Sequence, residues 1–159
     1  MRWLTPISKM AAEFSFVLPE EAIDLVVEEI LALIDESEET EDPIRVISFE
    51  GDLGAGKTTL VKKLCTALGY EGTVSSPTFG LVNAYDLPNG LTLMHSDWYR
   101  IETESELWDA GIEEGLHDPD SLWMIEWPQV GESLLEPINR LALNLTHEGE
   151  ERRYEARWM

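Results

Sequence analysis

The sequence predicts an α/β fold: a central, mostly parallel sheet with antiparallel hairpins at its margins, flanked by helices. A glycine-rich loop at residues 51–60 joins an apolar strand pattern to a helical pattern. Two further pairs of strand patterns flank turn signals, one at residues 88–90 and one at 147–151. With 159 residues and no internal repeat or long linker, we expect one domain over 1–159, with residues 1–12 as a flexible extension.

The chain should begin with a strand and a helix. EFSFV (13–17) alternates and is rich in aromatic residues, which is typical of a short strand. Pro19 suits a first helical position, and apolar residues then recur at helical spacing as far as Ile34. Residues 35–43 carry six acidic side chains and end in proline, so they predict a solvated helix end and a loop.

A strand, a loop and a helix should follow in that order. IRVISFE (44–50) contains β-branched and aromatic residues, which favour a strand. Leucines at 60, 64 and 68 recur every four residues, and Gly69 supplies a helix stop. The glycine-rich loop therefore lies between a strand and a helix.

The second half predicts hairpins around one further strand. TFGLVNAYDL and LTLMHSDWYR flank Pro-Asn-Gly, which indicates a β-hairpin. An acidic helix is expected over 104–110, a short apolar strand over 121–127 and a helical stretch near 130–135. LALNLTH and RYEARWM alternate apolar and polar residues, which predicts a terminal hairpin.

The charge of the chain argues against direct nucleic-acid binding. It has 32 acidic and 11 basic residues, a net charge of −21. Because Lys and Arg supply most of the affinity for phosphate backbones, neither RNA nor DNA should bind autonomously. The acidity indicates either a solvated surface or a surface for a basic partner protein.

Other features place the protein in the cytoplasm. The sequence has no apolar run long enough to span a membrane, and its first residues lack the apolar block of a secretory signal. The single cysteine, Cys65, cannot form an intramolecular disulfide, and we expect it to be a buried apolar residue of a helix. The three histidines are far apart in sequence and have no cysteine partners, so no zinc site is predicted.

Residues 51–58 match the phosphate-loop pattern G-x-x-x-x-G-K-[ST] in its strand, loop and helix context. The glycines allow backbone N–H groups to turn toward phosphate oxygens, and the following helix N-terminus attracts anions. Lys57 would reach the β- and γ-phosphates, and the Thr58 hydroxyl would bind Mg²⁺. The loop residues expected to bind nucleotide are Gly51, Asp52, Leu53, Gly54, Ala55, Gly56, Lys57 and Thr58.

Two carboxylates are candidates for metal binding and water positioning. Asp97 and Glu126 each end an apolar strand pattern, where open α/β sheets place such ligands. Together with Lys57 they form the predicted catalytic set, and together with Thr58 they form the predicted metal ligands.

The sequence also narrows the reaction. No Lys or Arg lies between Arg100 and Arg140, so the basic lid of a small-molecule kinase has no source there. Asn83-Ala84-Tyr85-Asp86 lacks the lysine of the guanine-recognition string N-K-x-D, which favours ATP over GTP. A stand-alone metabolite kinase and a nucleotide-binding module without turnover remain as alternatives.

Taken in order, four strings resemble the TsaE (YjeE) family, the ATPase subunit of the bacterial tRNA threonylcarbamoyladenosine machinery. They are GDLGAGKTTL (51–60), SSPTF (75–79), HSDWYR (95–100) and IEWPQVG (125–131). The resemblance implies a P-loop NTPase fold that binds ATP and Mg²⁺. It also implies partnership with TsaB and TsaD, contact with tRNA only through those partners, and ATP hydrolysis that resets the complex between turnovers.

The resemblance also assigns roles by position. Thr59 would lie at the α-phosphate side, and the segment Ser76-Pro77-Thr78 would act as a switch that senses the γ-phosphate or the metal. Glu126 would bind Mg²⁺ and Asp97 would position water or metal, although spacing alone does not divide those two roles.

Three more positions of these strings have open interpretations. Trp127 would lie near the nucleotide or pack in the core, and Arg100 would neutralise transition-state charge or pair with a nearby carboxylate. The string HSDWYR departs from the family at Ser96 and Trp98, where an aromatic residue and a leucine are frequent. Both departures should affect packing around Asp97 more than its charge.

Overall fold

The computed structural model describes residues 12–77 and 81–159. The strands are β1 (Ala12–Leu18), β2 (Val46–Glu50), β3 (Val82–Asp86), β4 (Thr92–Asp97), β5 (Ser121–Glu126), β6 (Leu141–Glu148) and β7 (Glu151–Trp158). The α-helices are α1 (Ile23–Ser37), α2 (Lys57–Ala67), α3 (Glu104–Asp109), α4 (Ile112–Leu116) and α5 (Glu132–Leu135). Short 3-10 helices precede α1 at Glu20–Ala22 and α5 at Pro128–Gly131.

The strands form one sheet in the order β1-β7-β6-β2-β5-β4-β3. The four central strands, β6, β2, β5 and β4, are mutually parallel. β3 pairs antiparallel with β4, and β7 pairs antiparallel with both β6 and β1. This arrangement confirms the predicted α/β fold with a parallel centre and antiparallel hairpins at both margins.

Helices cover both faces of the sheet because alternate residues of each central strand point in opposite directions. Ile47 and Phe49 of β2 pack with buried residues of α1 and α2. Val46, on the opposite face, packs with buried residues of α3, α4 and α5. The central strands are therefore buried on both faces, and their polar side chains lie mainly at the strand ends.

The structure adds one helix that the sequence did not predict. α4 begins after Gly111, which has φ +75°, and it contains Gly115. A Cβ at Gly115 would lie 2.7 Å from the Trp123 ring, so this glycine allows α4 to pack closely on β5. Two glycines within six residues conceal the helical pattern, since glycine is read as a helix breaker.

Two further predictions concern the N-terminal extension and membrane-spanning segments. The expected flexible extension covers residues 1–11, which lie outside the described residues, and Ala12, which begins β1. Within residues 12–77 and 81–159, none of the helices has the length and apolar character that a membrane crossing requires.

The parallel centre brings the carboxyl ends of four strands to one edge of the sheet. Asp97 and Glu126 are register partners on β4 and β5, and Glu126 is opposite Phe49 on β2. The Trp127 N–H donates to the Phe49 carbonyl at 3.2 Å, and the Trp98 N–H donates to the Glu126 carbonyl at 3.0 Å. These bonds hold the ends of β2, β5 and β4 together around the loop that follows β2.

Candidate functional site

The loop after β2 leads directly into α2, which begins at Lys57. Gly56, immediately before the helix, has φ +102°, a conformation that residues with a Cβ rarely adopt. Gly51 lies against β6, where an added Cβ would be 2.5 Å from the Leu145 carbonyl oxygen. The loop therefore turns tightly between the ends of β2 and β6 and directs the N-terminus of α2 toward the sheet edge.

The Lys57 side chain lies across this loop and is 6% exposed. Its ammonium donates hydrogen bonds to the carbonyls of Gly51 and Asp52, the latter at 2.9 Å. Burial lowers the pKa of Lys57, and the carboxylates of Glu126, Asp97 and Asp52 oppose that shift by favouring the charged form. The Lys57 side chain is thus placed between the loop carbonyls and the two strand-end carboxylates.

Glu126 is buried, with 1% exposure, and both of its carboxylate oxygens have partners. The Thr58 hydroxyl donates to Oε1 at 2.7 Å, and Nε2 of the buried His95 lies 3.2 Å from Oε2. A buried carboxylate needs such partners, because an uncompensated charge in the interior is costly. Thr58 and His95 therefore fix the orientation of the Glu126 carboxylate.

Asp97 stands beside Glu126 and is half-buried. Its carboxylate accepts the Tyr99 N–H at 2.9 Å. Burial raises the pKa of Asp97, the Tyr99 N–H opposes this rise, and the neighbouring Glu126 charge adds to it. The charges of these two adjacent carboxylates repel each other, and a bound cation would relieve that repulsion.

The donor set matches the requirements of Mg²⁺ in its chemistry. The hydroxyl of Thr58 and the carboxylates of Glu126 and Asp97 are hard oxygen ligands. In the part of the chain that the structure describes, no three His, Cys, Asp or Glu side chains form a metal-ligand cluster. A magnesium site here would therefore depend on Thr58 and on oxygens of a bound phosphate, as phosphate-loop sites do.

Trp127 connects the loop to β5. It has φ +57°, and it is the one non-glycine residue with positive φ among the described residues. This conformation places its ring 4.1 Å from the Lys57 ammonium, and the ring also packs against Tyr99 at 4.9 Å between centroids. Such backbone strain frequently marks a functional position. Trp127 is both part of the packed interior and a neighbour of the predicted phosphate site.

These residues surround a cleft of about 270 Å³. Its loop side consists of Leu53, Gly54, Gly56, Lys57, Thr58 and Thr59. Its opposite side is formed by Asp97, Tyr99, Glu126 and Trp127. The structure thus brings together most of the site residues that the sequence predicts. Their roles in binding and catalysis stay predictions.

Three nominated loop residues lie outside the lining of this cleft. Gly51 is packed against β6, and Ala55 is buried in the core beneath the loop. Asp52 contributes its carbonyl oxygen to Lys57, while its side chain is exposed. Ser76 and Pro77 of the predicted switch belong to a described loop, whereas Thr78 lies outside the described residues.

Sequence reasoning missed two residues of the site. His95 is two positions before Asp97 on β4, so strand alternation alone places both on one face. Arg152 lines the cleft next to Gly56, although it is distant from the loop in sequence. Arg100, for which the sequence leaves charge neutralisation or an ion pair open, is exposed and does not line the cleft. It makes no ion pair in the described part of the chain.

The two departures from the family string are in contact. The Trp98 indole N–H donates to the Ser96 hydroxyl at 2.7 Å, and both residues are buried. The small serine therefore supplies the partner that a buried tryptophan N–H needs. This contact lies on the opposite face of β4 from Asp97, so the departures leave the candidate site intact.

The sequence matches a known protein family. The family model described as "Threonylcarbamoyl adenosine biosynthesis protein TsaE" matches residues 20–155. The tRNA threonylcarbamoyladenosine biosynthesis protein TsaE of Bacillus subtilis is 40% identical over 111 residues, 70% of this chain and 67% of that protein. The protein of the same name from Haemophilus influenzae is 37% identical over 110 residues, 69% of this chain and 68% of that protein.

A solved structure supports the same relationship. The crystal structure of YdiB from Bacillus subtilis superimposes with a TM-score of 0.61 and 27% identity, covering 92% of this chain and 86% of that one. The fold, the phosphate loop and the sequence comparisons agree with the resemblance found in the four strings. The chain belongs to the TsaE family of threonylcarbamoyl adenosine biosynthesis proteins.

Proposed function

We propose that this chain is a Mg²⁺-dependent ATPase whose hydrolysis of ATP drives or resets a tRNA threonylcarbamoyladenosine modification complex containing TsaB and TsaD. The observation that carries the proposal is the convergence of Thr58, Glu126 and Asp97 beside the Lys57 ammonium at the N-terminus of α2. This arrangement combines a cation for phosphate with hard oxygen donors for a metal.

Each residue has a part that follows from its contacts. Backbone N–H groups of the loop and the Lys57 ammonium would hold the phosphates. Lys57 would then exchange its two carbonyl partners for phosphate oxygens. Thr58 and Glu126, already joined by a hydrogen bond, would hold Mg²⁺, which supplies charge neutralisation for phosphoryl transfer when bound. Asp97, less buried and beside the metal position, would orient the attacking water.

The scarcity of basic residues near the cleft supports a dependence of ATP hydrolysis on partner proteins. Residues 101–139 contain no Lys or Arg. The segments that follow β4 and β5 in the chain therefore offer no basic side chain that could close over a γ-phosphate. A docked partner would supply water exclusion and further charge stabilisation, both of which accelerate phosphoryl transfer. The net charge of −21 supports contact with tRNA through the partner subunits and not through this chain. We place this activity in the cytoplasm, where the buried Cys65 thiol would stay reduced.

The test measures phosphate release from Mg·ATP by the purified chain alone and with TsaB and TsaD. We expect slow release alone and stimulation of about tenfold or more in the complex, because closure of the cleft completes the site. Equal rates with and without both partners would contradict the proposed coupling.

Matched variants make this test specific. Glu126→Ala and Asp97→Ala should each lower the stimulated rate by about a hundredfold, the usual scale for loss of an electrostatic catalytic group. Asp120→Asn alters an exposed carboxylate at the opposite end of β5 and should leave the rate unchanged. A substrate-dependent transfer of phosphate to a small molecule, without partners, would instead indicate a kinase.

A further inference from the structure

We propose that Arg152 is a nucleotide-binding residue that contacts the phosphates on the nucleoside side, and that Glu20 is the counterion that neutralises its guanidinium when no phosphate is bound. The inference rests on the nucleotide binding proposed above and adds a residue that comes from outside the phosphate-loop strings. It concerns the affinity for ADP and ATP alike, and it does not assign Arg152 to the transfer of the γ-phosphate.

The position of Arg152 follows from the sheet order. β6 lies parallel to β2, and its carboxyl end therefore reaches the same edge as the phosphate loop. β7 runs back from that edge, with Arg152 near its start and opposite His147 of β6. Arg152 points to the same face as Tyr154 and Ala156, which is the face covered by α1 and α2.

The contacts of Arg152 bring its charge to the loop. Its Nη1 would lie 2.7 Å from a Cβ built on Gly56, so the guanidinium packs directly against the residue that precedes Lys57. Both Arg152 and Glu20 line the same cleft as Lys57 and Thr59. A guanidinium in a phosphate-binding cleft is suited to paired hydrogen bonds with phosphate oxygens.

The hydrogen bonding of Arg152 is incomplete. Its side chain is 14% exposed, and its Nη1 is buried with no hydrogen-bond partner among the described residues. Its Nη2 lies 3.4 Å from the carboxylate of Glu20, whose side chain is 59% exposed. Buried donors are nearly always paired, so a Nη1 without a partner among the described residues fits an acceptor supplied by a ligand in the cleft.

The side of the loop on which Arg152 lies indicates which phosphates it contacts. The predicted metal ligands Glu126 and Asp97 come from β5 and β4, on one side of β2. Arg152 comes from β7, beyond β6 on the other side. In phosphate-loop proteins, Mg²⁺ and the loop lysine bind the β- and γ-phosphates. A cation on the opposite side of the loop therefore faces the α- and β-phosphates.

The experiment measures the Kd of Mg·ADP and Mg·ATP by titration calorimetry for wild-type protein and for Arg152→Gln. Loss of a charged donor to phosphate should raise both Kd values by about tenfold to a hundredfold. Arg153→Gln is the matched control: it removes the same charge one residue away, on the opposite face of β7, and it should change either Kd by less than about twofold.

A second variant leaves Arg152 in place. Glu20→Gln removes the counterion and one negative charge from the cleft, so both Kd values should fall by about twofold or more. Glu21→Gln, at an exposed neighbouring position, is its control and should have no effect. Thermal unfolding of each variant verifies the fold, and the Glu20 result applies even if Arg152→Gln is unstable.

The outcomes separate the two proposals. Wild-type protein that bound neither nucleotide would overturn the proposed function and this inference with it. Normal wild-type binding with unchanged Kd values in folded Arg152→Gln would overturn the inference alone. A variant that bound both nucleotides normally and lost only hydrolysis would also overturn it, since Arg152 would then act in catalysis.

Discussion

At the scale of single residues, the candidate site depends on how a few charges are satisfied. The buried Glu126 carboxylate has the Thr58 hydroxyl and the His95 ring as partners. The Lys57 ammonium has loop carbonyls and an aromatic ring as partners. Asp97 has a single N–H donor and a like charge beside it. Burial and this like charge raise the pKa of Asp97, so the fold disfavours its charged form.

This difference leads to a prediction for Asp97→Asn. Because burial and Glu126 raise the pKa of Asp97, the folded state disfavours its charged form, and the neutral amide should raise the unfolding temperature at pH 8 by roughly 2 °C. The same change should reduce stimulated ATP hydrolysis by about a hundredfold. Scanning calorimetry and phosphate release measure the two effects.

The pH dependence of the Asp97→Asn effect has a definite sign. A raised pKa destabilises the folded wild type fully only above the folded-state value, and not at all below the ordinary aspartate value. The difference in unfolding temperature between variant and wild type should therefore shrink as the pH falls from 8 through the raised pKa. A difference that grew toward acid pH would contradict the assigned direction.

At the scale of elements, the phosphate loop is a local unit whose surroundings are not local. Its sequence pattern correctly predicted a turn between strand and helix, because glycine content and apolar spacing act over a few residues. The pattern does not show that β6 closes against the loop at Leu145, or that β7 adds Arg152 beside Gly56. Those contacts follow from strand order.

The two glycines that begin the loop should respond differently to alanine. Gly51→Ala places a Cβ 2.5 Å from the Leu145 carbonyl, so backbone must move, and the free energy of unfolding should fall by about 2–4 kcal/mol. Gly54 has φ +77° and open space around it, so Gly54→Ala should cost only about 1 kcal/mol of conformational strain. Urea unfolding followed by tryptophan fluorescence compares them, and equal losses would show that the β6 contact is unimportant.

At the scale of the whole molecule, the dominant physical property is charge. A net charge of −21 on 159 residues implies mutual repulsion that favours the unfolded chain. The ion pairs of the described residues are mostly at the surface, where each contributes little. Stability should therefore come chiefly from the two apolar layers that cover the sheet.

Screening of this repulsion should be measurable. Raising NaCl from about 20 mM to about 500 mM, without Mg²⁺ or nucleotide, should raise the unfolding temperature by about 5 °C or more. KCl at the same ionic strength should have the same effect, because the mechanism is screening and not binding of a particular ion. An unfolding temperature that stayed constant or fell with salt would contradict the importance of net charge.

The sequence by itself determined the strands, most of the helices and the phosphate loop. Strand and helix periods, turn residues and the G-x-x-x-x-G-K-T string each act over neighbouring positions, and they also located Asp97 and Glu126 at strand ends. Only the tertiary structure decided that Thr58 and His95 hold Glu126, that Trp127 lies over Lys57 and that Arg152 reaches Gly56. The reason is that several strand orders bury the same apolar faces. Apolar periodicity therefore specifies which residues lie inside, whereas the order of strands in the sheet specifies which distant polar groups meet at its edge.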